Sequence, residues 1–184
     1  MAEDRIARRE RHLAKARKEI AALDAAGLRL AGNAFSSTLL LKGEPNASER
    51  EGAGILSGAD GKALRAALTT LGYAPEDWCA LLTSHDGGNP VEPALLRLAI
   101  ATLEPTTCIL CDEAAAQAFR ETYVDELSRL GDLNQALLVP GVPAHVLGMR
   151  VLNLGGFEAA LRDSHQKQVM WAYLKQMPPL GEPY

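Results

Sequence analysis

Val151-Leu152-Asn153-Leu154-Gly155-Gly156-Phe157 is an apolar run that stops at two glycines, and a helical pattern over residues 158–177 follows it. A near-continuous apolar run of this length reads as a strand buried on both faces, and strands of that kind alternate with helices in parallel sheets. Earlier in the chain, Ser37-Thr38-Leu39-Leu40-Leu41-Lys42 is a second such run and stops at Gly43-Glu44-Pro45-Asn46. Ligands of open α/β sheets bind in the crevice beyond the carboxyl ends of the strands. The two exits are therefore expected to face one crevice, where glycine backbone can approach a ligand closely.

The rest of the chain repeats the pattern. Residues 4–25 carry Ile6, Leu13 and Ile20 without an internal Pro or Gly, which predicts a helix packing a narrow stripe on the body. Residues 43–61 are polar and glycine-bearing and are expected to form a long functional loop. Asp60 is placed to cap a helix with Leu64, Leu68 and Leu71 on one face, stopped by Gly72. Strands follow at Trp78 to Thr83, Thr107 to Cys111 and Met149 to Leu154. Between them lie a helical face of Leu96, Ile100 and Leu103 ending at Pro105, and a helix capped by Asp112 with Phe119, Tyr123 and Leu127, closed by Gly131. Met170, Leu174 and Met177 line the last helix.

With 184 residues, 47% hydrophobic and 23% charged, one domain spanning 1–184 is expected, with residues 1–28 as an N-terminal helix packed on the core. No long uncharged apolar stretch or signal sequence is visible, so a cytoplasmic protein without a membrane partner is expected. Three cysteines suit reduced thiols. Cys108 and Cys111 have CxxC spacing, but residues three apart on a strand point to opposite faces, so no metal is expected there. The net charge of -4 does not advertise nucleic-acid binding. Any basic face is local: Arg5, Arg8, Arg9, Arg11, Lys15, Arg17 and Lys18 are interleaved with Glu3, Asp4, Glu10 and Glu19, the pattern of a solvated helix face.

From about Leu39 to Met177 the order of these pieces resembles the uracil-DNA glycosylase superfamily of DNA repair, most closely its bacterial and archaeal family 4 type. Leu40-Leu41-Lys42-Gly43-Glu44-Pro45-Asn46 looks like the family's strand ending in Gly-Glu-Ala-Pro-Gly. Asp60-Gly61-Lys62-Ala63-Leu64 stands for its Ala-Gly-Lys-Leu-Leu, and Leu103-Glu104-Pro105-Thr106-Thr107-Cys108-Ile109-Leu110 for its Leu-x-Pro-x-Val-Ile-Leu. The resemblance implies a three-layer α/β/α domain whose central parallel sheet has four strands in the order 2-1-3-4.

It also implies departures. The family's base-contacting histidine and the proline after it fall on Gly156 and Phe157, so the donor to the leaving base is absent. Loss of such a donor costs about 10² to 10³ in rate. The aromatic residue that stacks on the flipped base is replaced by Ile55 and Leu56, and the uracil-reading asparagine falls near Ala80. Three scattered thiols do not supply the four ligands of the family's iron-sulfur cluster, so no cofactor is expected. The protein is expected to be glycosylase-like with little or no base excision, leaving DNA or a nucleobase as the candidate partner.

The remaining chemistry rests on few side chains. Glu44 is the candidate to orient water, and His85, beside Asp86, is the candidate acid/base; together they would serve an active glycosylase of altered mechanism. Gly43, Pro45, Asn46, Leu56, Asn89, Gly155, Gly156 and Phe157 are the candidate binding positions. Asn46 also reads as a turn residue, Asn89 as a helix-start residue, and Phe157 as a plug in the crevice. His165 and Lys167 read as solvated, and His145, in the Pro-rich passage, is a rim candidate that no spacing supports. A third expectation is a protein-interaction module in which the basic first helix docks a partner and the crevice is filled.

Overall fold

A computed structural model describes residues 2–181, the side chains of residues 2–5 and 8 excepted. From the N-terminus the chain forms helix α1 (Ala2–Ala25), strand β1 (Leu30–Gly32) and strand β2 (Thr38–Lys42). Helices α2 (Ala47–Arg50) and α3 (Ala59–Thr70) lead to β3 (Cys79–Leu82), and α4 (Pro93–Leu103) leads to β4 (Thr107–Leu110). Helices α5 (Glu113–Thr122), α6 (Val124–Ser128) and α7 (Leu133–Ala136) precede strands β5 (Ala144–Val146) and β6 (Met149–Asn153). Helices α8 (Phe157–Ala160) and α9 (Ser164–Leu174) follow.

The sheet is mixed and has six strands, in the order β1-β3-β2-β4-β6-β5, not four parallel ones. Its middle strands β3, β2, β4 and β6 are parallel neighbours, while β1 pairs antiparallel with β3 and β5 antiparallel with β6. Both added strands are three residues long, too short to show alternation in sequence. The β5–β6 hairpin turns on Leu147 (φ 49°) and Gly148 (φ 83°). Two positive φ values define the mirror-image turn that matches strand twist. Leucine stands where such turns usually carry Asn or Asp, so the usual hairpin signal is missing.

Alternation along the middle strands gives each face its own core. Leu39, Leu41, Leu81 and Cys108 pack with Leu96 and Ile100 of α4 and Phe119 of α5. Leu40, Leu82, Ile109 and Leu152 pack on the other side with Leu64 and Leu68 of α3 and Met170 and Leu174 of α9. Cys108 and Cys111 fall in opposite cores.

Several local expectations are corrected. The 43–61 segment is not structureless, because Asn46 caps α2 within it. Asp60 is no cap: Gly58 holds that position in α3, and the Asp60 side chain turns inward. The helix after Asp112 divides at Tyr123, and the 158–177 pattern divides at Asp163, which caps α9. Among its described side chains, the first helix packs from Leu13 onward: Leu23 is buried, Leu13 and Ile20 are half-buried, and Ile6 is 59% exposed. Glu3, Asp4, Arg5 and Arg8 lie outside the described side chains.

Burial pushes the Cys79 thiol up to about 11, and raises Cys108 and Cys111 as well. A raised acid binds its proton more tightly in the folded chain, so its contribution is complete below the unfolded thiol value and is lost as pH rises toward the folded one. Stability is therefore expected to fall from about pH 9 upward, each thiol removing about 1.4 kcal/mol per pH unit. Urea midpoints followed from neutral pH toward about 11, the folded Cys79 value, check this. A Cys79→Ala, Cys108→Ala, Cys111→Ala chain should lose most of the slope in the first unit above pH 9.

Candidate functional site

Strand alternation puts Lys42, the last residue of β2, on the same face as Leu40, where it is sealed beneath α2, α3 and α8. Its ammonium has three donors and meets three carboxylates: Asp60 Oδ2 at 2.6 Å, Glu49 Oε2 at 2.8 Å and Glu158 Oε2 at 3.2 Å. Glu49 is 0% exposed. It also accepts from the Asn46 N–H at 2.8 Å and the Leu56 N–H at 2.7 Å, so every lone carboxylate oxygen it buries has a donor. Burial alone would lower the Lys42 pKa, but the hydrogen bonds and charges of Asp60 and Glu49 outweigh it and hold it above the ordinary lysine value. The ammonium stays charged, and it organises the loop between β2 and α3.

That loop is closed by close backbone approach. A Cβ on Gly61 would lie 1.7 Å from the Leu56 carbonyl oxygen, so only glycine lets α3 pass. Leu56 itself has φ 55° and is sealed in the core, and its carbonyl accepts from Arg65 at 2.7 Å. Arg29 ties the outer side down through the carbonyls of Glu49 at 2.9 Å and Ala53 at 2.7 Å.

At the neighbouring exit, Asp112 caps α5 through the Ala115 N–H at 2.8 Å. The same carboxylate accepts from the Gly43 N–H at 3.0 Å and the Glu44 N–H at 3.0 Å. The backbone donors at the end of β2 are thus occupied by the protein itself. Gly43 is glycine because a Cβ there would sit 2.5 Å from the Ala115 nitrogen. The Glu44 side chain is exposed, and among the described residues its carboxylate has no partner.

At the β6 exit, Asn153 Oδ1 accepts from the Gly155 N–H at 2.8 Å and shapes the turn. Gly155 has φ 77° and packs against Pro140. Gly156 is extended, and a Cβ there would meet no atom within 4 Å. Phe157 is buried, its N–H donating to the Cys111 carbonyl at 2.9 Å. The space between these exits is a small, partly open cavity of about 80 Å³ with Lys42, Glu44, Leu56, Asp60, Cys111 and Phe157 in its wall. That is about half the 150 Å³ that encloses a benzene ring. Outside it lies an open groove of about 660 Å³, lined by Glu44, Asn46, Arg50, Asp60, Glu158 and Arg162.

Other candidates lie apart from this cavity. His85 lines a separate recess of about 290 Å³ with Arg29 and Arg50, and Pro45 is shared between that recess and the groove. The imidazole is not oriented by Asp86, which pairs with Arg29 at 3.4 Å; its Nδ1 donates to the Gly27 carbonyl at 3.2 Å. Glu44 and His85 therefore do not line a common cavity, and no acid/base pair forms between them. Asn89 is exposed at the turn, where its carbonyl accepts from the His85 N–H at 2.8 Å. Asn46 Oδ1 accepts from the Glu49 N–H at 3.0 Å as a helix cap and from the Ser48 hydroxyl at 3.2 Å, which together occupy its two lone pairs. His145, His165 and Lys167 are exposed.

Sequence reasoning passed over Lys42, Glu49, Asp60 as a charge partner, and Asn153. One signal was available: Asn46-Ala47-Ser48-Glu49 has the spacing of a capping box, and the structure forms it. Among the described residues, no group of three or more His, Cys, Asp or Glu is arranged to hold a metal, and no helix is long and apolar enough to cross a membrane. Fold and site together define an α/β protein with a carboxylate-rich groove at the carboxyl ends of its parallel strands. The sequence matches no protein-family model and no curated protein.

Proposed function

We propose that this chain is a uracil-DNA glycosylase-like protein without base excision, in which binding of nucleic acid or a nucleobase remains. The observation that carries the loss of excision is the β6 exit: Gly156 offers no side chain where the family's donor would stand, and Phe157 fills the wall of a cavity of about 80 Å³. A planar base needs more enclosed room than that. The separation of Glu44 from His85 argues further against an altered-mechanism enzyme.

Base release from single- and double-stranded DNA containing uracil, hypoxanthine or xanthine tests the proposal. No release above the protein-free rate is expected from the parent or from Glu44→Ala. Release by the parent that disappears in Glu44→Ala would overturn it. A Gly156→His variant, whose Cβ would meet no atom within 4 Å, shows whether the donor alone is missing. Binding to the same DNA should weaken as salt rises. The second reading, a protein-interaction module, draws on the half-free first helix with its exposed Ile6. Absence of DNA binding even at low salt would favour it.

A further inference from the structure

Charges that alternate in the sequence of α1 are sorted once the helix is packed. Among its described residues only Leu13, Ala16, Ile20 and Leu23 are half-buried or buried, and with this stripe the helix lies on α4. Arg11, Lys15 and Lys18, spaced i, i+4 and i+7, fall on the opposite face and are exposed. Glu10 and Glu19 stand between the two faces, one on each side. Glu19 reaches Lys15 at 3.6 Å, but the two side chains are 75% and 49% exposed, so the pair takes little from the lysine. No carboxylate among the described residues pairs with Arg11 or Lys18. The outward face is therefore basic, on a chain of net charge -4.

That contrast selects the partner. Residues 2–25 hold seven Arg and Lys against five Asp and Glu, so the remainder of the chain is more acidic than the whole, and a polyanion is drawn to α1 and repelled elsewhere. Between the cations the face carries Ala7, Ala14 and Ala22. A helix that enters a membrane surface sets Trp, Phe or Leu beside its cations, and a protein interface is anchored by aromatic side chains and depleted in lysine. Neither pattern is present on this face. Phosphates need only the charge: a duplex carries one per about 1.7 Å of its axis, enough to meet three cations spread over about 10 Å of helix. The helix also runs toward the strand-exit side of the sheet, where Gly27 meets His85 at 3.2 Å and Arg29 and Arg50 line the adjoining recess.

We propose that the outward face of α1 binds the phosphate backbone of duplex DNA through Arg11, Lys15 and Lys18, without reading its sequence. The assignment rests on the nucleic-acid reading above and names the surface that serves it.

Fluorescence anisotropy of a labelled duplex of about 20 base pairs, titrated with the full chain between about 50 and 200 mM salt, tests it. Each phosphate contact adds about 0.9 to the slope of log K against log salt, so three add about 2.7 and by themselves lower affinity about 40-fold over that range. Arg11→Gln, Lys15→Gln and Lys18→Gln together should flatten the slope by about 2.7 and keep the helix, since glutamine is a good helix former. Lys62→Gln, Lys167→Gln and Lys175→Gln remove the same charge from exposed positions of α3 and α9, which cover the other face of the sheet, and should leave the slope nearly unchanged. Equal flattening in the two variants would reduce the effect to net charge and overturn the assignment. An unchanged slope in the α1 variant would also overturn it and leave nucleic-acid binding standing on another surface. Phosphatidylserine vesicles bound as tightly as the duplex would overturn the choice of partner. No duplex binding at the lowest salt would overturn the assignment, and no binding of single strands or free nucleobases either would overturn the reading it rests on.

Discussion

Replacing Lys42 with methionine is expected to lower the unfolding free energy by about 3–5 kcal/mol, the cost of removing one partner from a buried ion pair. Methionine keeps the length of the side chain but leaves Glu49 and Asp60 buried without their counter-charge. A urea titration should show the midpoint falling with little change in slope. The chain carrying Lys42→Met, Glu49→Gln and Asp60→Asn together should recover much of the loss, because stranded charge and not lost packing causes it. Recovery should be incomplete, since glutamine has one carbonyl oxygen where Glu49 serves two amides and Lys42 with two. A loss below about 1 kcal/mol in the single variant would show the network to be no stronger than an exposed pair.

Asp112→Ala is expected to cost about 3 kcal/mol, because three backbone donors lose one shared acceptor. The amides of Gly43, Glu44 and Ala115 belong to two segments that are distant in sequence, so the side chain joins the β2 exit to the start of α5. Hydrogen exchange gives the specific readout. Those three amides should exchange faster in Asp112→Ala, while amides in the middle of β4 change only through global stability. Asp112→Asn should fall between the two, since one carbonyl oxygen can still accept. Unchanged exchange at Gly43 and Glu44 would show the contact to be incidental.

The candidate site was only partly legible. Gly43, Gly156 and Phe157 were visible as the ends of apolar runs, and all three do border the strand-exit region. Gly43 is a packing glycine against α5, and Phe157, read as a plug in the crevice, is part of the cavity wall. Glu44 was legible as a polar side chain at a strand end, and it is exposed, its carboxylate without a partner among the described residues. Lys42 was not legible, because a lysine closing an apolar strand ordinarily marks the step into solvent. Only the carboxylates that surround it make its burial tolerable, and they come from residues 49, 60 and 158. His85 and Asp86 are neighbours in sequence, yet their side chains have different partners because Gly27 and Arg29 reach that turn from another part of the chain.

By itself the sequence determined the alternation of helices with buried strands, the Asp112 cap and the placement of Cys108 and Cys111 on opposite faces. These depend on spacings of a few residues, where helical and extended periodicity leave a direct mark. The tertiary structure alone decided the edge strands β1 and β5, the inward turn of Asp60 and the small cavity that shares its acidic lining with an open groove. A three-residue edge strand exists only because a neighbouring strand offers it a ladder. Likewise, a buried charge is stable only where distant segments bring its partners, and local composition carries no record of that meeting.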